Sequence, residues 1–224
     1  MICMMLMIFM LTNAVFSQNG NPPLPPDGKD FDIKVFLQGL YTGSGQMRQV
    51  HEEKAGGTIE PRWTAPIAEK LTVEIHTPGN YGQPSHVWAR TEVILRQNGW
   101  IRVNLPETGS YYITIRTRNH LETVSAAPID FSNPLREYNF TTGAAQAYGS
   151  NQIDLGGGVF GIYAGDVNQD GDIDINDSGP MILAVRSGQQ GYVLNDITGD
   201  GYVDINDSGI IINNVRSGIS AQTP

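Results

Sequence analysis

The chain has 224 residues, a formal net charge of -9 and a single cysteine, Cys3. An acidic protein of this kind is not expected to bind the phosphate backbone of nucleic acid. Because Cys3 is the only thiol, the sequence beyond it excludes a disulfide, a thiol nucleophile and a thiolate metal site.

The first segment is apolar and short. Residues 4–16 form an apolar run interrupted only by Thr12 and Asn13, and polar residues follow Ser17. This pattern predicts a signal peptide over residues 1–17, and an interfacial anchor is the alternative. The run is shorter than the roughly twenty apolar residues that a membrane span needs, and no other segment comes close. We therefore expect a secreted, extracellular protein without a membrane span.

A proline-rich stretch follows the predicted cleavage point. Residues 18–30 hold prolines at positions 22, 23, 25 and 26, which favour an extended backbone and remove N–H donors. We expect an extended arm, which is either a linker or a segment that lies across a neighbouring subunit.

The middle of the chain alternates apolar and polar residues with the period of two that marks a half-buried strand. Turns at 98–99 and 107–109 separate such segments. The pattern predicts a mainly β fold, with a two-sheet β-sandwich over residues 31–150. Residues 101–116, two strands joined by a turn with proline, glycine and tyrosine, are similar to prealbumin-like and other Ig-like domains. The predicted strands are Phe31–Leu37, Leu71–His76, Val87–Leu95, Ile101–Leu105, Tyr111–Arg116, Thr123–Ala127 and Tyr138–Thr141.

Residues 38–70 form a long connection between two predicted strands. Such a connection is either a packed excursion that contains missed strands or a binding loop. Its acids Glu52, Glu53 and Glu60 can act as a catalytic pair only if a rigid cleft holds them. No histidine belongs to a serine-nucleophile motif, so we predict that the protein is not an enzyme.

A polar cluster at 116–120 ends one predicted strand, with Trp88, Trp100 and Tyr112 on nearby strands. Exposed aromatic rings beside polar groups would bind carbohydrate, and the alternative is that the rings fill the core. His120 is expected to be solvated.

A twelve-residue loop occurs twice. The sequence from Asp166 to Asp177 returns, thirty residues later, from Asp196 to Asp207. Each copy places side-chain oxygens at loop positions 1, 3, 5, 9 and 12 and glycine at position 6, the spacing of an EF-hand-type calcium loop. Position 7 is expected to bind through its backbone carbonyl. The candidate metal ligands are Asp166, Asn168, Asp170, Asp172, Asp174 and Asp177 in the first loop and Asp196, Thr198, Asp200, Tyr202, Asp204 and Asp207 in the second.

The four carboxylates at positions 1, 5, 9 and 12 of each short loop repel one another unless a divalent cation neutralises them. We therefore predict two bound Ca2+ ions, one in each loop; two acidic turns that bind nothing are the alternative. Gly171 and Gly201 lie at the bend, where a positive φ favours glycine. Thr198 replaces Asn168 with a weaker ligand, so we expect the second loop to bind calcium less tightly.

Each loop is followed by an apolar segment long enough for two to three helical turns, 178–188 and 208–218, and no helix-forming segment precedes either loop. Apolar residues in the glycine-rich connection 151–165 indicate that the loops and helices pack on the sandwich. A loop and a helix, repeated with Asp at position 12, resemble the type I dockerin family of extracellular bacterial proteins. The resemblance covers residues 166–218 and leaves a tail at 219–224.

This resemblance implies two calcium ions, folding only with calcium, and docking onto a cohesin domain at the surface of a bacterial cell. In the family, loop positions 10 and 11 and the helices contact the cohesin. Those positions hold Ile175–Asn176 and Ile205–Asn206, in place of the Ser-Thr type pairs of the best-known dockerins.

Three functions follow as hypotheses. The favoured one is a structural or adhesive surface protein that assembles with copies of itself into an extracellular polymer or filament. The alternative is an accessory protein, with a possible carbohydrate-binding domain, that docks to a cohesin scaffold. The third is a polysaccharide hydrolase.

Overall fold

The computed structural model describes residues 28–79, 81–82, 88–106 and 108–224. The predicted signal peptide and most of the proline-rich arm lie outside these residues. The strands are β1 (Gly28–Lys34), β2 (Tyr41–Gly43), β3 (Gln46–Met47), β4 (His51–Glu53), β5 (Ile59–Pro61), β6 (Ile67–His76), β7 (Trp88–Arg96), β8 (Trp100–Pro106), β9 (Ser110–Arg116), β10 (Thr123–Val124), β11 (Ile129–Asp130), β12 (Glu137–Asn139), β13 (Ile153–Gly156) and β14 (Val159–Gly161); the helices are α1 (Ile175–Ser187) and α2 (Ile205–Ser217).

Two sheets form a β-sandwich. In the first, β1 lies between β8, which is antiparallel to it, and β12, which is parallel. The second has the order β10-β9-β6-β7, and β11 also pairs with β9. Buried and less buried residues alternate in β1 and along most of β6, as Phe31, Ile33, Val73 and Ile75 show, and these buried residues belong to one hydrophobic core. The predicted mainly β sandwich is therefore confirmed.

The turn at 98–99 carries the chain from β7 in one sheet to β8 in the other. Gly99 has φ +83°, and a Cβ there would lie 2.7 Å from the carbonyl oxygen of Val35. A side chain at this position would collide with the neighbouring backbone, so the turn requires glycine.

The long connection at 38–70 contains two hairpins, β2–β3 and β4–β5, and the start of β6. Leu40, Met47 and Val50 are fully buried and fix these hairpins to the core. The missed strands are two or three residues long, too short for a period of two to be visible. The proline-rich arm is also shorter than predicted, because residues 28–30 belong to β1.

The glycine-rich connection is a hairpin rather than a free linker. β13 and β14 pair across Gly157 and Gly158, both with positive φ. Ile162, just beyond β14, is fully buried; its N–H donates to the Phe36 carbonyl at 2.9 Å and its carbonyl accepts from Gln38 N at 3.0 Å. The chain therefore enters the first twelve-residue loop while still hydrogen-bonded to the sandwich.

Both helices follow their loops, and each begins three residues earlier than the sequence indicates. Gly188 and Gly218, in the left-handed conformation, end them as predicted. The helices pack on each other through a second, smaller core that includes Met181, Ala184 and Ile211. Neither of these thirteen-residue helices, nor any other helix in the described part of the chain, is long and apolar enough to cross a membrane.

Candidate metal centre

The last aspartate of each loop ties the loop closed. The buried carboxylate of Asp177 accepts from Val167 N at 2.8 Å and Asn168 N at 3.2 Å through Oδ1, and from Asp174 N at 2.9 Å through Oδ2. Its side chain thus joins loop positions 2, 3 and 9.

The second loop repeats this arrangement. Oδ1 of the buried Asp207 accepts from Thr198 N at 2.8 Å, and Oδ2 accepts from Asp204 N at 2.9 Å. The duplicated sequence therefore folds into duplicated backbone geometry.

The first aspartate of each loop carries a buried oxygen without a hydrogen-bond donor. Oδ2 of Asp166 accepts from Gly171 N at 3.2 Å, and Oδ2 of Asp196 accepts from Gly201 N at 3.1 Å. Oδ1 of each is buried and has no partner in the part of the chain that the structure describes. A buried carboxylate oxygen without a donor is costly, and a cation on that oxygen would remove the cost.

The electrostatics of these two carboxylates agree with a cation site. Burial, reinforced by the charge of Asp177, raises the pKa of Asp166 to about 6. Burial raises the pKa of Asp196 to about 7; Arg118 lowers it and Asp207 raises it. A charged form that is disfavoured by burial and by like charges is the state that a bound divalent cation would stabilise.

The predicted ligands at positions 3 and 5 have different contacts in the two loops. In the first loop, Asn168 Nδ2 donates to Oδ2 of Asp170 at 2.7 Å. In the second, Thr198 is buried and has no side-chain amide, and Oδ2 of Asp200 instead contacts Arg48 at 3.4 Å.

The side chains at position 7 are exposed, whereas those at position 9 cap the helices. The side chains of Asp172 and Tyr202 at position 7 are exposed, as expected if only the backbone carbonyl is a ligand. Asp174 and Asp204 at position 9 are the N-caps of α1 and α2, and Asp174 Oδ1 accepts from Asn176 N at 2.6 Å. With the position-12 aspartates they form capping boxes, which is why the helices begin earlier than predicted.

The oxygen-only donor set is the type that Ca2+ takes. In the described residues, no three His, Cys, Asp or Glu side chains converge on one point at metal-binding distance. The position-12 carboxylates point at backbone N–H groups, and the position-5 carboxylates point at Asn168 and Arg48.

The second loop is packed against the sandwich. His51 N donates to the Gly199 carbonyl at 3.0 Å. A Cβ on Gly201 would lie 2.4 Å from Cγ2 of Ile59, and one on Gly199 would lie 3.0 Å from Cγ1 of Val50. The corresponding position in the first loop, Gly171, has only a 3.7 Å contact. The hairpins of residues 38–62 therefore form a cradle for the second loop, a role that the sequence did not reveal.

Two residues of the polar cluster 116–120 bind the start of the second loop and the residues just before it. Arg118 donates to the Val193 carbonyl and, at 2.7 Å, to the Asp196 carbonyl, while its Nε contacts Glu69 at 3.1 Å. Asn119 Nδ2 donates to the Leu194 carbonyl at 2.9 Å. Arg118 and Asn119 therefore hold the second loop against the sandwich.

The expectation that His120 is solvated is wrong. His120 is only 2% exposed, its Nε2 lies 2.9 Å from the Gln38 carbonyl, and its Nδ1 lies 2.9 Å from the Thr117 hydroxyl. Burial lowers the pKa of His120 to about 3. The error arose because His120 lies beyond the end of β9 and pairs with Ala164 of the connection to the first loop, while Gln169 Nε2 donates to its carbonyl.

The aromatic residues proposed for carbohydrate binding do not share one face. Trp100 is on β8 of the first sheet, where Lys34 Nζ lies 5.4 Å from its ring, and Tyr112 is on β9 of the second, packed between Tyr81 and Tyr148. The side chain of Trp88 lies outside the described residues. The structure therefore gives no support to a common sugar platform.

Two acids of the 38–70 connection face each other across a pair of strands. Glu52 and Glu60 are opposite each other on β4 and β5. Hydrogen bonding to Lys54, aided by the charge of Arg62, holds the pKa of Glu52 below its usual value. These contacts neutralise Glu52 and do not prepare it as a general acid.

Exposed apolar residues lie on the surfaces of α1 and α2. Ile175 and Ile205, the first residues of the helices, are 71% and 75% exposed, and Ile182, Leu183 and Ile212 are also exposed about two turns later. Residues 175 and 182 are seven positions apart, as are 205 and 212, so each helix presents an apolar stripe. We call these stripes the helix faces.

No protein-family model matches the sequence, and no curated protein matches it. Among solved structures, a C-terminal interface mutant of a type II cohesin-X-dockerin complex from Acetivibrio cellulolyticus is similar, with 16% identity and a TM-score of 0.48, over 87% of this chain and 98% of that chain. An N-terminal interface mutant of the same complex aligns with 18% identity and a TM-score of 0.44, over 84% of this chain and 94% of that chain. At these values neither alignment establishes a shared fold.

Proposed function

We propose that each twelve-residue loop binds one Ca2+ ion. The buried Oδ1 atoms of Asp166 and Asp196 carry this proposal, because they lack hydrogen-bond donors among the described residues and lie in loops with EF-hand spacing. The position-12 aspartates would complete each site while also closing the loop. Calcium supplies the positive charge that the loops themselves lack.

We further propose that the protein is a secreted docking protein whose calcium loops and helices form a dockerin-like module that attaches it to a cohesin-like domain. The helix faces support this proposal, since large apolar side chains that are this exposed mark interaction sites when they form a patch. Both helices also carry an exposed arginine in the last turn, Arg186 in α1 and Arg216 in α2. The partner surface should therefore be apolar with acidic side chains at its rim.

Docking is preferred to self-assembly for a structural reason. The self-assembly hypothesis depended partly on an extended arm, and residues 28–30 of that arm pair with β8 of the same chain. The helix faces, by contrast, are exposed in the described part of the chain, while the second loop is held by the sandwich. Assembly of the protein with copies of itself is therefore treated as an alternative outcome of the experiment below.

The experiment is a binding assay with immobilised type I and type II cohesin domains, performed in calcium and again in excess chelator. We expect calcium-dependent binding to at least one cohesin, and a loss of more than about tenfold in affinity for the double variant Ile175→Glu/Ile205→Glu. Leu135→Glu is the matched control, because Leu135 is 66% exposed on the sandwich.

Two outcomes would overturn the docking proposal. One is the absence of binding to every cohesin in calcium. The other is sedimentation showing calcium-dependent polymers that Ile175→Glu/Ile205→Glu abolishes, which would identify the helix faces as self-assembly contacts.

A further inference from the structure

Oδ2 of the aspartate at loop position 5 contacts a different kind of side chain in each loop. At position 5, Oδ2 of Asp170 accepts from the neutral side-chain amide of Asn168 at 2.7 Å, inside its own loop. Oδ2 of Asp200, the equivalent atom, lies 3.4 Å from Nη1 of Arg48. Thr198 occupies the loop position of Asn168 but has no side-chain amide. In the second loop, the cationic Arg48 of the sandwich therefore contacts the oxygen that accepts from the neutral Asn168 amide in the first loop.

The position of Arg48 is fixed by its surroundings. Its backbone N–H donates to the Leu40 carbonyl at 2.9 Å, and its neighbour Met47 is buried in the core. His51, three residues later, donates to the Gly199 carbonyl of the second loop. The guanidinium is therefore presented to Asp200 by the cradle of residues 38–62.

We propose that Arg48 sets the calcium affinity of the second loop. Its positive charge occupies the Asp200 oxygen that a calcium ion would use, so calcium must displace Arg48 and overcome its repulsion. The first loop has a neutral amide at that oxygen and carries no such penalty. The first loop accordingly fills at a lower calcium concentration than the second. This inference rests on the proposed calcium binding.

A buried unpartnered atom of the second loop supports a real cation site there. Oδ1 of Asp196 is buried without a hydrogen-bond donor among the described residues, and Asp196 is 0% exposed. Nη2 of Arg118 also lies 3.9 Å from Oδ2 of Asp196, and the same guanidinium pairs with Glu69 at 3.1 Å. Within the described part of the chain, the acidic contact of Arg48 is Asp200, so the charge of its guanidinium acts on the loop directly.

The test is a calorimetric calcium titration of the purified protein at low and moderate salt. The stronger and weaker sites are assigned with the matched variants Asp170→Asn and Asp200→Asn. We expect Arg48→Gln to tighten the weaker site by roughly threefold to tenfold at low salt, and less at higher salt, because a partly exposed unit charge next to a divalent ion has an effect of this order. The stronger site should change by less than about twofold.

Two control variants separate charge from structure. Arg48→Lys keeps the charge and should leave the weaker site close to that of the original protein. Arg102→Gln removes the same charge from a residue that pairs with Asp32 on the first sheet, 2.7 Å away, and should change neither site. Circular dichroism confirms that each variant is folded.

An unchanged weaker site in Arg48→Gln, or an equal change at both sites, would overturn this inference while leaving the calcium proposal intact. A titration without any bound calcium would overturn both.

Discussion

Replacing Gly201 with alanine tests the contact between the second loop and its cradle. Gly201 has φ +84°, and a Cβ would lie 2.4 Å from Cγ2 of Ile59 and 3.0 Å from Cβ of His51. Gly171, at the same loop position, has φ +91° and a nearest contact of 3.7 Å. The two glycines thus share the backbone requirement and differ in the space around them.

The expected magnitudes follow from these distances. Both alanine variants place a Cβ in the left-handed region, at a cost of about 1–2 kcal/mol in the free energy of unfolding. Gly201→Ala adds overpacking against β4 and β5, which costs about 1–3 kcal/mol more. For a protein of this size, about 1 kcal/mol lowers Tm by about 2–4 °C. From these increments we expect Gly171→Ala to lower Tm by ~5 °C and Gly201→Ala by ~10 °C.

The assay is thermal unfolding followed by circular dichroism in saturating calcium. Because both changes are at loop position 6, any direct effect on the metal ligands is matched between them. Equal losses of Tm in the two variants would show that the second loop is not closely packed against the hairpins of residues 38–62. That result would refute the assignment of these hairpins as the cradle of the second loop.

Three further predictions use the same protein. Excess chelator should lower Tm, and Asp166→Ala and Asp196→Ala should each remove one of two bound Ca2+ ions in a calorimetric titration; an unchanged count of two would refute the ligand assignment. Gly209→Ala, in open space on α2, should raise stability in urea unfolding by roughly 0.5–1 kcal/mol, and a loss would mean that this surface is covered. Gly179→Ala should give no such gain, because Gly179 precedes Pro180 inside α1 and a Cβ there would clash with the proline ring. His120 takes up a proton on unfolding between about pH 6.5 and its folded pKa of about 3, so stability should fall as pH drops below about 6.5, by about 2 kcal/mol at pH 5 from this residue. That part of the slope should disappear in His120→Gln, and parallel curves for the two proteins would refute the buried neutral histidine.

The sequence predicts the parts of this protein whose pattern is local. The long alternating strands β6, β8 and β9 are visible in the period of their side chains, and the glycines at 188 and 218 mark the helix ends. The two loops are visible because oxygen-bearing residues recur in them at the spacing of a calcium loop, and this spacing occurs twice.

What the sequence does not predict depends on contacts between distant residues. The strands β2 to β5 are too short to show a period, so nothing in residues 38–62 indicates that they hold a loop about 150 positions later. His120 is a polar residue beyond the end of β9, and its burial depends on distant residues, namely Gln38, Ala164 and Gln169. The pairing of Arg48 with Asp200 is likewise decided by the fold and not by any motif.

Asp174 and Asp204 each belong to two structures at once, as loop position 9 and as the N-cap of a helix. A thirteen-residue helix is marginal in water because its first turn is costly to nucleate. If the loop binds an ion as proposed, that ion would therefore also fix the first turn of the helix. A peptide of residues 166–188 should change from coil to helix when the metal ion is added. Its far-ultraviolet circular dichroism spectrum would then report ion binding directly.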